Sequence, residues 1–95
     1  AQKKAGKLYA AVCASPALVF APNDLLQKKA TCYPKLKDNM SDSFVDQQVV
    51  VDSNCCTSQG PGTSVIFALT LIELLFDKSK AHTVATAMLV NYTSP

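Results

Sequence analysis

The apolar positions of this chain fall into separate runs, each with its own period. Ala1-Gln2-Lys3-Lys4-Ala5 reads as the last turn of a helix, with lysines where the negative end of the helix dipole favours them and Gly6 where a glycine stops it. Leu8-Tyr9-Ala10-Ala11-Val12-Cys13 is then apolar at every position, the pattern of a strand covered on both faces inside a parallel sheet. Such a strand does not open a self-sufficient fold, so the chain reads as beginning in mid-domain. A short helix follows over Ala14–Phe20, with Pro16 in its first turn, where a missing N–H costs nothing, and Ala21–Asp24 closes it. Lys28–Tyr33 reads as a second short strand ending at Pro34, and polar Lys35–Phe44 as a surface loop with a helical turn. Val45–Asp52 and Asn54–Ser58 read as two strands joined by a tight Asp52-Ser53-Asn54 turn.

Gly60-Pro61-Gly62-Thr63 is turn punctuation, and it opens the longest predicted helix, Thr63–Phe76. Val65, Ile66, Phe67, Leu69, Leu71, Ile72, Leu74, Leu75 and Phe76 surround that helix almost completely, which predicts burial on every side. A chain of 95 residues offers too little protein to wrap it, which argues for a missing half, a partner subunit, or both. A second helix over Lys78–Leu89 presents Ala81, Val84, Ala85 and Met88 on one face.

Composition narrows the function. The length allows one domain at most, and 48% hydrophobic with 17% charged residues is a globular balance, not a disordered one. No apolar run approaches the roughly 20 residues that span a bilayer, and no basic segment precedes an apolar one at the start, so neither a membrane segment nor a signal peptide is expected. All nine basic residues are lysines. Without arginine the bidentate contacts to guanine and phosphate are lost, and no nucleic-acid partner is expected. The cysteines, Cys13, Cys32, Cys55 and Cys56, include no C-x-x-C pair, and the single histidine, His82, is remote in sequence; no metal site and no disulfide scaffold is expected. Free thiols of this kind suit a reducing intracellular compartment.

The strongest chemical signal is Ala11-Val12-Cys13-Ala14-Ser15-Pro16. An apolar strand runs into a reactive residue and straight on into a helix, with small residues on both sides, as in a nucleophile elbow with cysteine in place of serine. At a helix start the backbone amides favour a thiolate, and the Ala14 amide would point toward an oxyanion on a bound carbonyl. The competing reading of Cys13 is a structural thiol. Cys32 reads either as an oxidant sensor beside Cys13 or as a core thiol. Gly60-Pro61-Gly62 reads either as a plain turn or as a rim of the Cys13 pocket. Glu73 reads as a structural partner and His82 as a solvated surface residue.

At these residues the sequence resembles the DJ-1/PfpI (ThiJ) superfamily. The likeness runs through Leu8–Pro16, Lys28–Pro34, Val50-Val51-Asp52, Thr57–Thr63 and Phe67-Ala68-Leu69 to Glu73, in order and spacing, and is nearest to the second repeat of the plant tandem homologs. It implies an α/β fold, a flavodoxin-like (class I glutamine amidotransferase-like) three-layer sandwich, of which residues 1–95 would be a single partial domain, the C-terminal half only.

The resemblance also implies glyoxalase III or deglycase-type chemistry on small aldehydes such as methylglyoxal, with Cys13 as nucleophile and Ala14 as oxyanion-hole amide. Ser15, Gly60, Pro61 and Gly62 would form the pocket rim. The family's acid–base glutamate would belong to the missing N-terminal half. Tyr33 stands where many active members carry histidine, and a phenol is a poor base near neutral pH. Gln59 stands where arginine is common. The alternative is a non-catalytic pseudoenzyme or a redox-sensing, chaperone-like module. No cofactor is implied. The expected partners are a small aldehyde and either the missing N-terminal half or a second copy, and the expected location is intracellular, in the cytoplasm with plastid or nucleus as alternatives.

Overall fold

In the computed structural model, which describes residues 1–95, the apolar run forms strand β1, Tyr9–Val12. Before it, Ala1–Ala5 makes one helical turn closed at Gly6, whose φ of 72° is the left-handed geometry glycine tolerates. The Lys7 amide bonds the Gln2 carbonyl at 3.3 Å and the Gly6 amide the Lys3 carbonyl at 3.2 Å, the paired bonds that end a helix at a glycine.

Strands β2, Val49–Asp52, and β3, Cys55–Ser58, form an antiparallel hairpin that turns at Ser53-Asn54, with Ser53 at a φ of 55°. The sheet order is β1-β3-β2, and β1 runs parallel to β3 with Tyr9 opposite Cys55 and Val12 opposite Ser58. β3 is therefore the central strand, and all four of its residues are buried. β1 lies at an edge and is only half-buried, so the fully covered strand is Cys-Cys-Thr-Ser, not the apolar run.

Side chains alternate across a strand, so Thr57 and Ser58 face opposite layers. On the Thr57 side pack Ala17, Ala30, Cys32 and Met40, with Leu26, Leu36 and Phe44 around them, and the Thr31 amide donates to Thr57 Oγ1 at 2.9 Å. On the Ser58 side pack helices α1, Ser64–Leu75, and α2, Lys78–Ala87, around Leu69, Ala81, Ala85 and Tyr92. The expected layering of α/β type thus holds within these residues. Asp77 caps α2, its carboxylate accepting the Lys80 amide at 2.7 Å.

Two expectations fail. Lys28–Tyr33 forms no strand; it makes one bridge, Ala30 with Phe44, and spends the Thr31 amide on a side chain instead of a ladder. Helix α1 is not buried all round: Leu69 and Thr70 are buried, whereas Leu74, Leu75 and Phe76 face outward, Phe76 with 71% of its surface exposed. Periodicity reports which positions are apolar, not which of them this chain covers. The polar stretch folds into 3₁₀ turns over Pro34–Ser43, interrupted at Ser41, with Met40 turned inward.

Candidate functional site

The end of β1 turns sharply at Cys13, whose φ of 64° lies in a region that a non-glycine residue enters only when its surroundings hold it there. Two bonds do so. The Cys13 amide donates to the Ser58 carbonyl at 3.0 Å, extending the pairing with β3, and the Cys13 carbonyl accepts the Tyr33 amide at 2.7 Å. The chain then enters a single wide turn, Pro16–Phe20, with Pro16 at its start as expected and the Ala21 amide closing it on the Pro16 carbonyl. The Ala14 carbonyl accepts the Ala17 and Leu18 amides, while the Ala14 amide has no acceptor within the chain. The short helix expected over Ala14–Phe20 is realised as a five-residue turn followed by a three-residue one, which carry little of the dipole that a longer helix would.

The elbow meets a second loop at the same edge of the sheet. Ser58 ends β3, its hydroxyl donating to the Gln48 carbonyl at 2.8 Å and sharing a 2.6 Å bond with Thr63 Oγ1. Thr63 Oγ1 also accepts the Gly60 amide at 3.1 Å, and its single hydrogen points either to Ser58 Oγ or to the Gly60 carbonyl at 2.9 Å, which fixes Gly60-Pro61-Gly62 against the strand end. Gly60 is buried, and a Cβ built on it would stand 3.9 Å from the Tyr33 ring, so that ring lies over the glycine. Cys13, Tyr33 and Gly60 are therefore assembled at the carboxyl ends of two parallel strands, where open α/β sheets bind ligands. Ser15, Pro61 and Gly62 are exposed or half-exposed around them.

The four thiols, all free, sit in different surroundings. Cys13 is half-buried, whereas Cys32, Cys55 and Cys56 are buried. Burial, followed by the neighbouring Cys55 thiol, pushes Cys56 up to about 12, and burial also raises Cys55 and Cys32. The Cys13 thiol, close by, adds to the rise at Cys32. A buried thiol held neutral is a poor nucleophile toward reagents arriving from solution. Thr31 Oγ1, beside Cys32, is a buried polar atom with no partner.

The remaining candidates lie elsewhere. Glu73 accepts hydrogen bonds from Tyr92 at 3.2 Å and from Ser94, and so is a structural partner as expected. It stands about 13 Å along α1 from the helix start near the elbow. His82 is exposed and packs its ring edge on Tyr92, with centroids 5.6 Å apart. Gln59 donates to Asp46 at 3.0 Å. No group of three or more histidine, cysteine or acidic side chains is placed to hold a metal ion, and no helix is long and apolar enough to cross a membrane. None of the four surface hollows is lined by Cys13; one of about 390 Å³ lies beside the turn that follows it, against Ala17, Leu18 and Asn39. Ser58 and Thr63 were not expected from the sequence. Their signal was a threonine three residues after Gly60, the spacing of a capping box.

The sequence profile of the DJ-1/PfpI family matches residues 1–74. Protein DJ-1 homolog A of Arabidopsis thaliana is 46% identical over 91 residues, covering 94% of this chain and 23% of that protein. The glutathione-independent glyoxalase DJR-1.2 of Caenorhabditis elegans is 34% identical over 84 residues, 85% of this chain and 45% of that one. The solved structure of oxidized Toxoplasma gondii DJ-1 superposes with a TM-score of 0.91 at 42% identity, over 96% of this chain and 50% of that one. The chain thus spans a quarter to a half of the length of these relatives.

These matches correct the assignment to a C-terminal half nearest the plant second repeat. The likeness takes in nearly the whole chain, and the Toxoplasma protein matches it at an identity close to that of the plant homolog. The flavodoxin-like fold of the family therefore extends over almost the entire chain, and residues 1–95 are assigned to no half and no repeat. The chain belongs to the DJ-1/PfpI family.

Proposed function

We propose that this chain carries cysteine-dependent chemistry of the glyoxalase III or deglycase type on small reactive aldehydes such as methylglyoxal. The observation that supports it most is Cys13 itself: the one half-buried thiol, held at a left-handed φ at the end of a parallel strand, with an unengaged amide beside it. The Caenorhabditis relative, named a glutathione-independent glyoxalase, supports the same reading.

In this reading the Cys13 thiolate adds to the aldehyde carbon, a C–S bond forms, and the carbonyl electron pair moves onto oxygen, where the Ala14 amide holds the charge. Protonation gives a hemithioacetal. Moving the C1 proton to C2 then gives a thioester of the hydroxy acid, and water releases lactate and restores the thiol. On this reading Tyr33, Ser15, Gly60, Pro61 and Gly62 would border the aldehyde bound at Cys13. A base for the C1 proton stands outside this cluster, since Tyr33 is a phenol and Glu73 is engaged by Tyr92 and Ser94. Turnover then requires a base that these residues do not themselves supply. Free thiols throughout support an intracellular location, the cytoplasm first.

The test is lactate production from methylglyoxal by the wild-type chain and by Cys13→Ser. Loss of turnover in the variant supports the reading, and an unchanged rate overturns it. The lack of a base beside Cys13 favours a second reading, a redox-sensing module without turnover, and the oxidized state named for the Toxoplasma structure agrees with it. In that case Cys13 takes up oxygen while lactate production is absent from both proteins.

A further inference from the structure

We infer that Cys32 is the resolving thiol of Cys13, so that a hydroperoxide converts the two into a reversible intrachain disulfide. The inference rests on the reading of Cys13 as the reactive thiol, and it deepens that reading by naming a partner and an oxidant class. The 2.7 Å bond from the Tyr33 amide to the Cys13 carbonyl ties the two segments together at this point. The Cα of Cys32 is one peptide step, about 3.8 Å, from that of Tyr33. Cys32 lies in no strand, packs against Ala17, Ala30 and Met40, and its thiol makes a single hydrogen bond, to the carbonyl of its own neighbour Tyr33 at 3.2 Å. Cys13 stands close enough to Cys32 to add to the rise that burial imposes on the Cys32 thiol.

Exposure dictates the order of events. Cys13, half-buried, meets the peroxide, while Cys32, fully buried, is shielded from it. The Cys13 thiolate attacks the peroxide oxygen, an S–O bond forms as the O–O bond breaks, and an alcohol or water leaves with one oxygen. Sulfur is oxidised by two electrons and the peroxide is reduced. The Cys32 thiol, held neutral by burial, gives its proton to the departing hydroxide as its sulfur attacks the Cys13 sulfenic acid, so the S–S bond forms, the S–O bond breaks and water leaves. A sulfenic acid trapped in this way is spared the second peroxide that would carry it to the irreversible sulfinic acid. Cys55 and Cys56, inside β3, take no part.

The experiment treats the reduced full chain with hydrogen peroxide and maps thiols by non-reducing peptide mass spectrometry. Wild type is expected to lose two hydrogens, to yield one cross-linked peptide joining Cys13 to Cys32 within a single chain, and to recover both thiols in dithiothreitol. In Cys32→Ala the thiol-recoverable fraction of oxidised Cys13 falls about tenfold, and Cys13 gains two oxygens instead. Alkylation of Cys13 at the wild-type rate in Cys32→Ala shows that the variant keeps its elbow. If that variant does not fold, Cys32→Ser replaces it, with the same outcomes. Wild-type Cys13 that proceeds to sulfinic acid while Cys32 remains alkylatable overturns this inference and leaves the reading of Cys13 standing. A cross-link between two chains also overturns it. A Cys13 inert to both alkylating agent and peroxide takes down both.

Discussion

Cys56 and Cys13 lie on adjacent strands of one sheet, Cys56 opposite Ala10 and Cys13 just beyond the end of the same strand as Ala10. Their chemistry is nonetheless opposed. Cys56 sits mid-strand in extended backbone, buried on the central strand, with its thiol pushed up to about 12. Cys13 sits past the last strand residue, half-buried, in a backbone conformation that disfavours any side chain. A residue type reveals little about reactivity; the place where the strand stops decides it. One cysteine is spent on packing, and the other is held in strain that the bonds to Ser58 and Tyr33 offset.

The largest contrast should come from placing a carboxylate at each position. Cys56→Asp buries a charge with no partner and should cost about 4 kcal/mol or more, enough to prevent folding of a small domain. Cys13→Asp reaches solvent and tolerates left-handed backbone, and should cost less than about 1 kcal/mol by urea denaturation. Equal losses would break the comparison. Next comes the buried bond between the segments: Thr57→Val leaves the Thr31 amide without its acceptor and should cost about 1–3 kcal/mol, read from the same denaturation curves.

A smaller but sharper test reverses sign between the two sites. At Cys13 the glycine variant should be more stable than the alanine variant by about 1 kcal/mol, because glycine enters the left-handed region freely. At Cys55, in extended backbone, alanine should exceed glycine by about 0.5–1 kcal/mol. The same order at both positions would remove the claim of strain at the elbow. The smallest effect concerns pH. Because the folded Cys56 pKa is raised from 9.0 to about 12, its contribution is fully present below pH 9 and is lost as pH rises through that window. Denaturation midpoints should therefore fall between those limits, and Cys56→Ala should flatten the fall.

Local pattern made much of this legible. The glycine stop at Gly6, the Asp52–Asn54 turn and the two helices follow from residues with strong local preferences, and the elbow at Cys13 from an apolar strand that runs through small residues straight into a helical turn. Other features depend on pairings that one strand cannot announce. Cys55-Cys56-Thr57-Ser58 looks less apolar than Leu8–Cys13, yet it is the central strand because two neighbours pair with it. Lys28–Tyr33 has strand-like composition, but its amide at Thr31 goes to the Thr57 side chain, so no ladder forms. The expectation of a C-terminal half came with the family resemblance, while the apolar opening strand suggested a start in mid-domain and the apolar helix α1 a missing half or a partner. Both are half-covered in this fold, and the family likeness runs through nearly the whole chain. Within the site, Cys13 and the glycine loop could be read from sequence, but the Ser58–Thr63 bond that joins them to β3 could not, since it needs the strand end and the helix start in one place.

The most direct test is the alkylation rate of each cysteine in the native chain near neutral pH, followed residue by residue with iodoacetamide and mass spectrometry. Cys13 should react at least about a hundredfold faster than Cys32, Cys55 or Cys56, because it alone combines access to solvent with a position outside the buried core. Equal rates for the four thiols, or modification of Cys56 before Cys13, would contradict the account at its centre.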